Sequence, residues 1–324
     1  MHRIVVIANP AASQFTGGSH RDVMATLNRV AEVGSIWPES PAEAAERARE
    51  AAEAGADIVV AMGGDGMVHH VSQGVVGTVA SLGVIPVGTT NVFARLMGIP
   101  SKPVKAARLL VTSPQIRRVG VATMTLQRGS TETVHHSIFA CGFGLDAAVV
   151  QRAEKEPYRK YRFGSVHYAR SAFATALQDF PRRRPNVTVH AGDREAYATA
   201  AMIQFREIYT YFGKVPLKIA PADPDPMTVL VVKRLRRRHI PRIAVTLFAG
   251  RALESIPEME VWRRVGQFEW KADPPVEVQA DGEALGMVDS GTVEWAPDAL
   301  AVIVPALDVN WPPGTGCPRR RTAS

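Results

Sequence analysis

Residues 58–68 read IVVAMGGDGMV, and this stretch decides the fold. Its five apolar residues predict a buried strand, and the Gly-Gly-Asp-Gly turn leads directly into a segment with helical spacing. Glycines let the backbone turn tightly and approach a ligand, and the amides at a helix N-terminus suit a phosphate. Asp65 would oppose a bare phosphate, so it predicts Mg²⁺ beside that phosphate. A plain strand-to-helix turn without any ligand is the open alternative.

The flanking sequence repeats the alternation of strand and helix. Apolar runs at residues 4–7 and 84–87 predict two further strands. Ser-Pro-Ala-Glu at residues 40–43 predicts a helix start with a capping box. A helical pattern over residues 23–34 predicts another helix, which makes 58–62 the second strand of the chain. This alternation predicts a doubly wound α/β domain with a parallel sheet over residues 1–117.

The pattern changes near residue 117, where short strands joined by turns favour an antiparallel β domain over residues 118–311. The predicted strands are 117–126, 132–141, 186–190, 196–204, 217–221, 227–232, 267–271, 276–281, 291–295 and 299–304. Two helical stretches, 146–178 and 240–253, interrupt them. The Pro/Gly/Arg-rich tail over residues 312–324 is predicted to be disordered.

Composition limits the classes of protein to which the chain can belong. Its 324 residues are 46% hydrophobic and 21% charged, which is typical of a globular protein and excludes disorder and a coiled coil. Two cysteines, Cys141 and Cys317, are too few for a disulfide framework or a cysteine zinc site, so we expect a cytoplasmic location. The uncharged stretch 66–94 is broken by Pro86 and by glycines, so no transmembrane helix is predicted.

A second glycine turn follows the next predicted strand. Residues 88–91 read GTTN, in which Thr89 can bind a phosphate and Asn91 can cap the following helix. The segment Asn9–Ser13 follows the first strand in the same way. Ligands of parallel α/β sheets bind at the carboxyl ends of the strands, so we expect all three turns at one edge. A helix cap without a ligand remains the alternative for residues 88–91.

The third signal lies far along the chain, at Asp281-Gly282-Glu283. Asp-Gly is a common hairpin pair, so a simple turn is the favoured interpretation of these residues on their own. Two carboxylates that flank a glycine also suit a general base and a metal ligand.

Together these residues resemble the diacylglycerol kinase catalytic domain, a family that includes bacterial lipid kinases and sphingosine kinases and is related to the NAD kinases. The resemblance spans about residues 3–305. Its motifs are residues 9–10, 63–66, 88–100, 141–147 and 280–283. It implies an N-terminal α/β domain and a C-terminal antiparallel β-sandwich with a nucleotide cleft between them. In that cleft ATP and Mg²⁺ would serve transfer of the γ-phosphate to a lipid hydroxyl.

The resemblance also implies roles for particular residues. Asp281 or Glu283 would accept the proton of the lipid hydroxyl, and Asp65 would be catalytic and would bind the metal of the cleft. Asp223 and Asp225 would be metal ligands in a separate turn, which carries a structural Mg²⁺ in some bacterial members of the family. The residues implied to hold the nucleotide are Asn9, Pro10, Ala11, Ala12, Ser13, Gly63, Gly64, Asp65, Gly66, Met67, Thr89 and Asn91. Those implied to form the network with the acceptor are Gly142, Gly144 and Asp146.

Departures from the family pattern keep two rival functions open. Met67 stands where the family usually has Thr, His70 where it often has Glu, and Pro38 near a nucleotide-contacting threonine. The family's Asp-Asp-Gly metal turn is shortened to residues 223–227. The rivals are an NAD kinase-like enzyme and a catalytically impaired relative that binds nucleotide or lipid. The glycine turn at residues 88–91 and the acidic turn at residues 281–283 disfavour the NAD kinase-like enzyme.

Charge patterning bears on the partners. The net charge of +7 includes two basic clusters at residues 182–184 and 233–239, which would dock on an anionic membrane surface if they are more than solvated helix flanks. No aromatic-interleaved motif for nucleic acid is present. The histidine pairs at 69–70 and 135–136 are predicted not to bind metal, because neighbours on a helix or strand point apart. The oligomeric state stays open, with a homodimer as one candidate.

Overall fold

One mixed sheet of 14 strands joins the two halves of the chain among the residues that the structure describes. The computed structural model describes residues 2–112, 115–145, 147–148, 184–206, 208–212, 215–217, 226–248, 253 and 256–306. The strands are β1 (His2–Ala8), β2 (Ala31–Ile36), β3 (Ile58–Gly63), β4 (Ser81–Pro86), β5 (Gln115–Arg128), β6 (Thr131–Ser137), β7 (Ala140–Phe143), β8 (Val187–Ala191), β9 (Arg194–Ala198), β10 (Ala200–Gln204), β11 (Thr210–Phe212), β12 (Val215–Leu217), β13 (Thr228–Val232), β14 (Met259–Trp262), β15 (Gln267–Ala280) and β16 (Glu283–Val304). The helices are α1 (Gly17–Leu27), α2 (Pro41–Glu53), α3 (Asp65–Val75), α4 (Val92–Leu96), α5 (Pro103–Thr112) and α6 (Ile240–Phe248).

The N-terminal half is the predicted α/β domain. Its strands run parallel in the order β4-β3-β1-β2. Every residue of β3 and β4 is buried, which explains why these strands are continuous apolar runs in the sequence. The carboxyl ends of β1, β3 and β4 therefore meet at one edge, as the sequence predicts.

The helix predicted over residues 23–34 is wrong in its second half. Helix α1 ends at Leu27, and Ala31–Ile36 forms the edge strand β2 beside β1. In β2 only Ala31 is fully buried, so this strand carries no apolar run by which the sequence could reveal it.

The start of α2 departs in detail from the predicted capping box. The Ser40 hydroxyl accepts the amide of Glu43 at 3.1 Å, as predicted. The Glu43 carboxylate accepts the amide of Glu39 at 2.7 Å instead of that of Ser40.

The C-terminal half is the predicted antiparallel β-sandwich domain. Its core includes side chains from β7, β8, β10, β13 and β15. Strand β16 pairs antiparallel with β15 and β5. Near the end of β16, Val302 pairs with Leu82 of β4 in the parallel direction. The chain thus returns to the N-terminal sheet, which fixes the acidic turn between β15 and β16 relative to the glycine turns.

Several predicted strand boundaries are wrong. Segments 267–271 and 276–281 form the single strand β15, which has an irregular register between Lys271 and Val276. Segment 132–141 is divided into β6 and β7, and β14 was not predicted. The helix predicted at 146–178 lies almost wholly outside the described residues. No helix in the described part of the chain has the length and apolar character needed to cross a bilayer.

Candidate active site

The two glycine turns at the carboxyl ends of β3 and β4 lie in direct contact. A Cβ atom placed on Gly88 would overlap the Cα of Gly64 and would lie 3.2 Å from its amide nitrogen. The amide of Val87 donates to the carbonyl of Gly63 at 3.0 Å, which locks the turns together. Only glycine permits this approach of two backbones, so the two turns form one site.

The turn after β1 joins this site through hydroxyl groups. The oxygen atoms of Ser13 and Thr89 lie 2.9 Å apart. The Asn9 side chain shapes its turn by accepting the amide of Ala11 at 2.8 Å. The structure therefore brings together the three turns that the sequence assigns to one edge.

Asp65 is bound to the N-terminus of α4. One carboxylate oxygen accepts the amide of Val92 at 2.9 Å, and the other accepts the amide of Phe93 at 3.0 Å. Burial, with a smaller contribution from the charges of Asp281 and Glu283, raises the pKa of Asp65 from 3.8 to about 6, although the two amides favour the charged form. Asp65 thus ties the two glycine turns together and places a carboxylate between them.

Asn91 does not cap α4 as predicted. It lies in the left-handed region with φ of 49°, and its side chain makes no hydrogen bond to the helix. Its amide group accepts the amide of Gly88 at 3.1 Å and donates to the Gly88 carbonyl at 2.7 Å. Asn91 therefore closes its own turn, and Asp65 takes over the cap. The Met67 side chain is buried in the N-terminal core.

Asp281 is a buried carboxylate held by the loop between β6 and β7. Its side chain is 0% exposed. Its carboxylate accepts the amides of Ile138 and Phe139 at 2.9 Å each, and the hydroxyl of Ser137 at 2.8 Å. The backbone at Asp281 has φ of 54°, so the turn depends on a residue that tolerates this conformation. These contacts assign Asp281 a clear role in fixing the acidic turn.

His69 completes the shell around Asp281, and the sequence did not predict this pair. Its Nδ1 lies 2.9 Å from the Asp281 carboxylate, and its side chain is only 2% exposed. An Nδ1–H group of His69 would donate to this carboxylate, because an ionised carboxylate can only accept. The partners are 212 residues apart in sequence, and no local pattern links them.

Glu283 lies on the other side of the acidic turn, against the first glycine motif. A Cβ atom placed on Gly66 would overlap its carboxylate. The Glu283 side chain is 26% exposed, and its carboxylate lies 3.6 Å from Nε2 of His70. The two acidic residues therefore differ in environment: Asp281 is enclosed, whereas Glu283 reaches solvent beside the first glycine turn.

The remaining predicted site residues are two glycines at the end of β7 and three aspartates that the structure does not describe. Gly142 lies within β7, and Gly144 follows it with φ of 82°. A Cβ atom on Gly144 would crowd the carbonyl of Thr199, so a structural reason requires this glycine. Three predicted residues lie outside the described residues: Asp146, Asp223 and Asp225.

Two domain families match the chain, and together they cover the site. Residues 3–124 match the diacylglycerol kinase catalytic domain, and residues 140–304 match the YegS C-terminal NAD kinase beta sandwich-like domain. The chain belongs to the family that carries the YegS C-terminal domain, and its N-terminal part matches the diacylglycerol kinase catalytic domain. The predicted family, the two-domain fold and the activity class, a phosphotransferase to an alcohol acceptor, are thereby confirmed.

Some relatives match nearly the whole chain, and others match a part of it. A diacylglycerol kinase of Mycobacterium tuberculosis (strain H37Rv) is 26% identical over 310 residues, which are 94% of this chain and 95% of the relative. The diacylglycerol kinase of Bacillus subtilis (strain 168) is 38% identical over 87 residues, 26% of this chain and 29% of the relative. A solved diacylglycerol kinase structure from Bacillus anthracis (strain Sterne) has a TM-score of 0.66 at 17% identity, covering 94% and 97% of the two chains. At that identity the likeness shows the fold alone.

Proposed function

We propose that this protein is an ATP- and Mg²⁺-dependent lipid kinase that transfers the γ-phosphate to a lipid hydroxyl of the diacylglycerol or long-chain base type. One observation carries the proposal: the solvent-reaching Glu283 carboxylate lies directly against Gly66 of the first glycine turn. A proton acceptor and a phosphate turn thus lie side by side, which is the arrangement that phosphoryl transfer to an alcohol needs.

The three turns suit a nucleotide triphosphate. Backbone amides at Gly64 and Gly66 begin α3, and a helix N-terminus favours negative charge. The hydroxyls of Ser13 and Thr89 add donors at the same edge. Since residues 1–101 contain no lysine, neutralisation of the phosphates falls to amides and to a metal ion.

The residues present suit Mg²⁺ that is bound mainly through phosphate and water. Within the described ranges no cluster of three metal-ligating side chains exists. Asp65 and Glu283 each bring a carboxylate to the first glycine turn, and Mg²⁺ commonly uses one or two carboxylates together with substrate phosphates. The metal would neutralise charge that develops on the phosphoryl oxygens. The roles of Asp223 and Asp225 as ligands stay predictions.

Glu283 is the proposed proton acceptor. The lipid oxygen forms a bond to the γ-phosphorus while the bond from that phosphorus to the β–γ bridging oxygen breaks, so ADP leaves with the bond's electron pair. The proton of the lipid hydroxyl passes to the Glu283 carboxylate. Asp281 holds the turn on which Glu283 stands, because its own oxygens are enclosed by five donor groups.

A kinase assay tests this function. The protein is incubated with labelled ATP, Mg²⁺ and, in separate tubes, dioctanoylglycerol, sphingosine or NAD. We expect labelled lipid, with at least a hundredfold slower turnover in Glu283→Gln, since a general base contributes about 10²- to 10⁴-fold. Glu32→Gln, which changes an exposed carboxylate on β2, is the matched control. Labelled NADP without labelled lipid, or nucleotide binding without any product, would refute the proposal.

We also propose that a basic surface docks this kinase on anionic membranes from the cytoplasmic side. Lys233 pairs with Glu260, and Arg236 pairs with Glu258 at 3.1 Å, so these two cations are partly neutralised. The exposed arginines are Arg234, Arg237, Arg238 and Arg242, and α6 adds an exposed Val245. Each basic residue near an anionic surface contributes about 1 kcal/mol.

Liposome flotation tests this docking. Wild type should float with vesicles that contain anionic phospholipid and should be released by high salt, because the attraction is electrostatic. The double variant Arg237→Glu/Arg238→Glu should remain in the bottom fraction. Binding that ignores both anionic lipid and salt would contradict the proposal.

A further inference from the structure

The guanidinium group of Arg206 contacts the loop that encloses Asp281. Arg206 lies two residues after the end of β10, and its Nε atom donates to the carbonyl of Ile138 at 3.1 Å. Its Nη2 atom donates to the carbonyl of Gly120 at 2.5 Å. Because Gly120 belongs to β5, this one side chain joins the 138–140 loop to the long strand that pairs with β16.

Arg206 and Asp281 contact the same peptide group from opposite sides. The carbonyl of Ile138 and the amide of Phe139 belong to one trans peptide, in which the two groups point in opposite directions. The carbonyl accepts a hydrogen bond from Arg206, and the amide donates to the Asp281 carboxylate at 2.9 Å. A guanidinium group and a carboxylate are therefore connected through a single peptide unit.

Arg206 is positively charged in this position. Burial lowers the pKa of Arg206 to about 10, although the charge of Asp281 opposes this change, and the charge of Arg117 adds to it. A group with this pKa is protonated at pH 7. The Cζ atom also lies 5.8 Å from the ring centre of Phe205 and 5.9 Å from that of Trp295, within the range of a cation–π contact. The rings and the carbonyls together hold the cation beside the loop.

A cation on the carbonyl strengthens the hydrogen bond that the amide of the same peptide makes. Hydrogen bonds in a chain polarise one another, by about 10–30% per bond in a low-dielectric interior. Arg206 therefore makes the Phe139 amide a better donor to Asp281. The amides of Ile138 and Ala140 also donate to this carboxylate, but they belong to the neighbouring peptide units. The effect of Arg206 should thus be largest at Phe139.

The contact with Gly120 lies where the chain passes between its two halves. Strands β5 and β16 lose register between Ala296 and Leu300 of β16, and Gly120 lies opposite this irregularity. Beyond it, β16 reaches β4 of the N-terminal sheet. Arg206 therefore links the junction of the two halves to the loop around Asp281.

We propose that Arg206 is a positioning residue, whose positive charge holds the Asp281 carboxylate in place through the peptide unit that both groups contact. It thereby fixes the acidic turn on which Glu283 stands. Asp281 and Glu283 flank a single glycine, so a displacement of the first carboxylate moves the second relative to the first glycine turn. The effect on turnover rests on the proposed function, in which Glu283 accepts the proton, whereas the contact through the peptide does not.

An NMR measurement on the protein without ligands tests this contact. The chain contains one Ile-Phe pair, at residues 138–139, so labelling with ¹³C-carbonyl isoleucine and ¹⁵N-phenylalanine selects the Phe139 amide. In Arg206→Met, which removes the charge but keeps a long side chain, the amide proton should move upfield, because its hydrogen bond weakens. Arg118→Met is the matched control, since the exposed Arg118 contacts the carbonyl of Asp298 within the same irregularity of β16. It should leave the signal in place.

The size of the shift decides the outcome. A Phe139 signal that moves as little in Arg206→Met as in Arg118→Met would overturn the proposal. Arg206→Gln, which also removes the charge, gives the same test if the methionine variant does not fold. Arg206→Lys keeps the charge, so its Phe139 signal should stay nearer to the wild-type position than that of either neutral variant.

Kinase kinetics test the positioning role. Arg206→Met should lower kcat for dioctanoylglycerol about tenfold or more, because a misplacement of about 1 Å at the reacting groups can cost about a hundredfold. The KM for ATP should stay within about twofold of wild type, and Arg206→Lys should recover part of kcat. An unchanged kcat, or a raised KM for ATP at an unchanged kcat, would overturn the positioning role. A Phe139 shift in a protein that phosphorylates no lipid would support the contact through the peptide and refute the proposed function.

Discussion

Replacing Asp281 with Asn separates a positioning role from a catalytic one. Asn has nearly the same shape and tolerates the φ of 54°, so the substitution changes mainly charge and hydrogen bonding. The new NH₂ group must replace one carboxylate oxygen, and both oxygens accept the amide of Ile138, at 2.9 and 3.1 Å. His69 can adapt by changing its tautomer, but the amide donors of the loop cannot.

We expect the Asp281→Asn substitution to lower the free energy of unfolding by about 2–4 kcal/mol, because hydrogen bonds to a charged group contribute about 1.5–3 kcal/mol each and unsatisfied buried donors add a penalty. Urea unfolding followed by tryptophan fluorescence measures this change. Glu283→Gln is the comparison, since its side chain is 26% exposed. It should stay within about 0.5 kcal/mol of wild type while losing kinase turnover.

Two outcomes would refute this reasoning. An Asp281→Asn variant as stable as wild type would mean that the enclosed carboxylate does not hold the turn. A Glu283→Gln variant that unfolds as easily as Asp281→Asn would mean that Glu283 also stabilises the fold, so that the two acidic residues do not have separate structural and catalytic roles.

Two further predictions concern the glycine turns and Asp65. Gly88→Ala should cost about 1–3 kcal/mol of stability through overpacking and should raise the KM for ATP, because its Cβ overlaps Gly64; Gly34→Ala, with no atom within 4 Å of its Cβ, is the control in urea unfolding. Equal stability of the two variants would contradict the close contact. Burial raises the pKa of Asp65 in the folded state from 3.8 to about 6, so the protonated form of this carboxyl favours folding. This contribution to the free energy of unfolding is about 3 kcal/mol at most, and it is lost as the pH rises from about 4 to 6. Asp65→Asn should remove that pH dependence; unfolding curves of the variant and wild type that shift in parallel between pH 4 and 6 would contradict it.

The sequence predicted those parts of the fold in which local pattern and burial coincide. Every residue of β3 and β4 is buried, so each strand is an apolar run that can be recognised in the sequence without knowing which strand it pairs with. The glycine turns that follow these strands can be located in the same way. Strand β2 was missed because an edge strand with one fully buried residue has no such pattern. The family motifs located the turns and the acidic residues in the correct order along the chain.

What the sequence by itself determined is the family, the two-domain fold and the residue types available for phosphate and proton chemistry. Only the tertiary structure decided the different surroundings of the two acidic residues in the turn between β15 and β16. It enclosed Asp281 with His69 and the amides of the 138–140 loop, and it placed Glu283 against Gly66. The physical reason is that β16 returns to pair with β4, so contacts across more than 200 residues fix the burial of each carboxylate, and burial and hydrogen bonding control its chemistry.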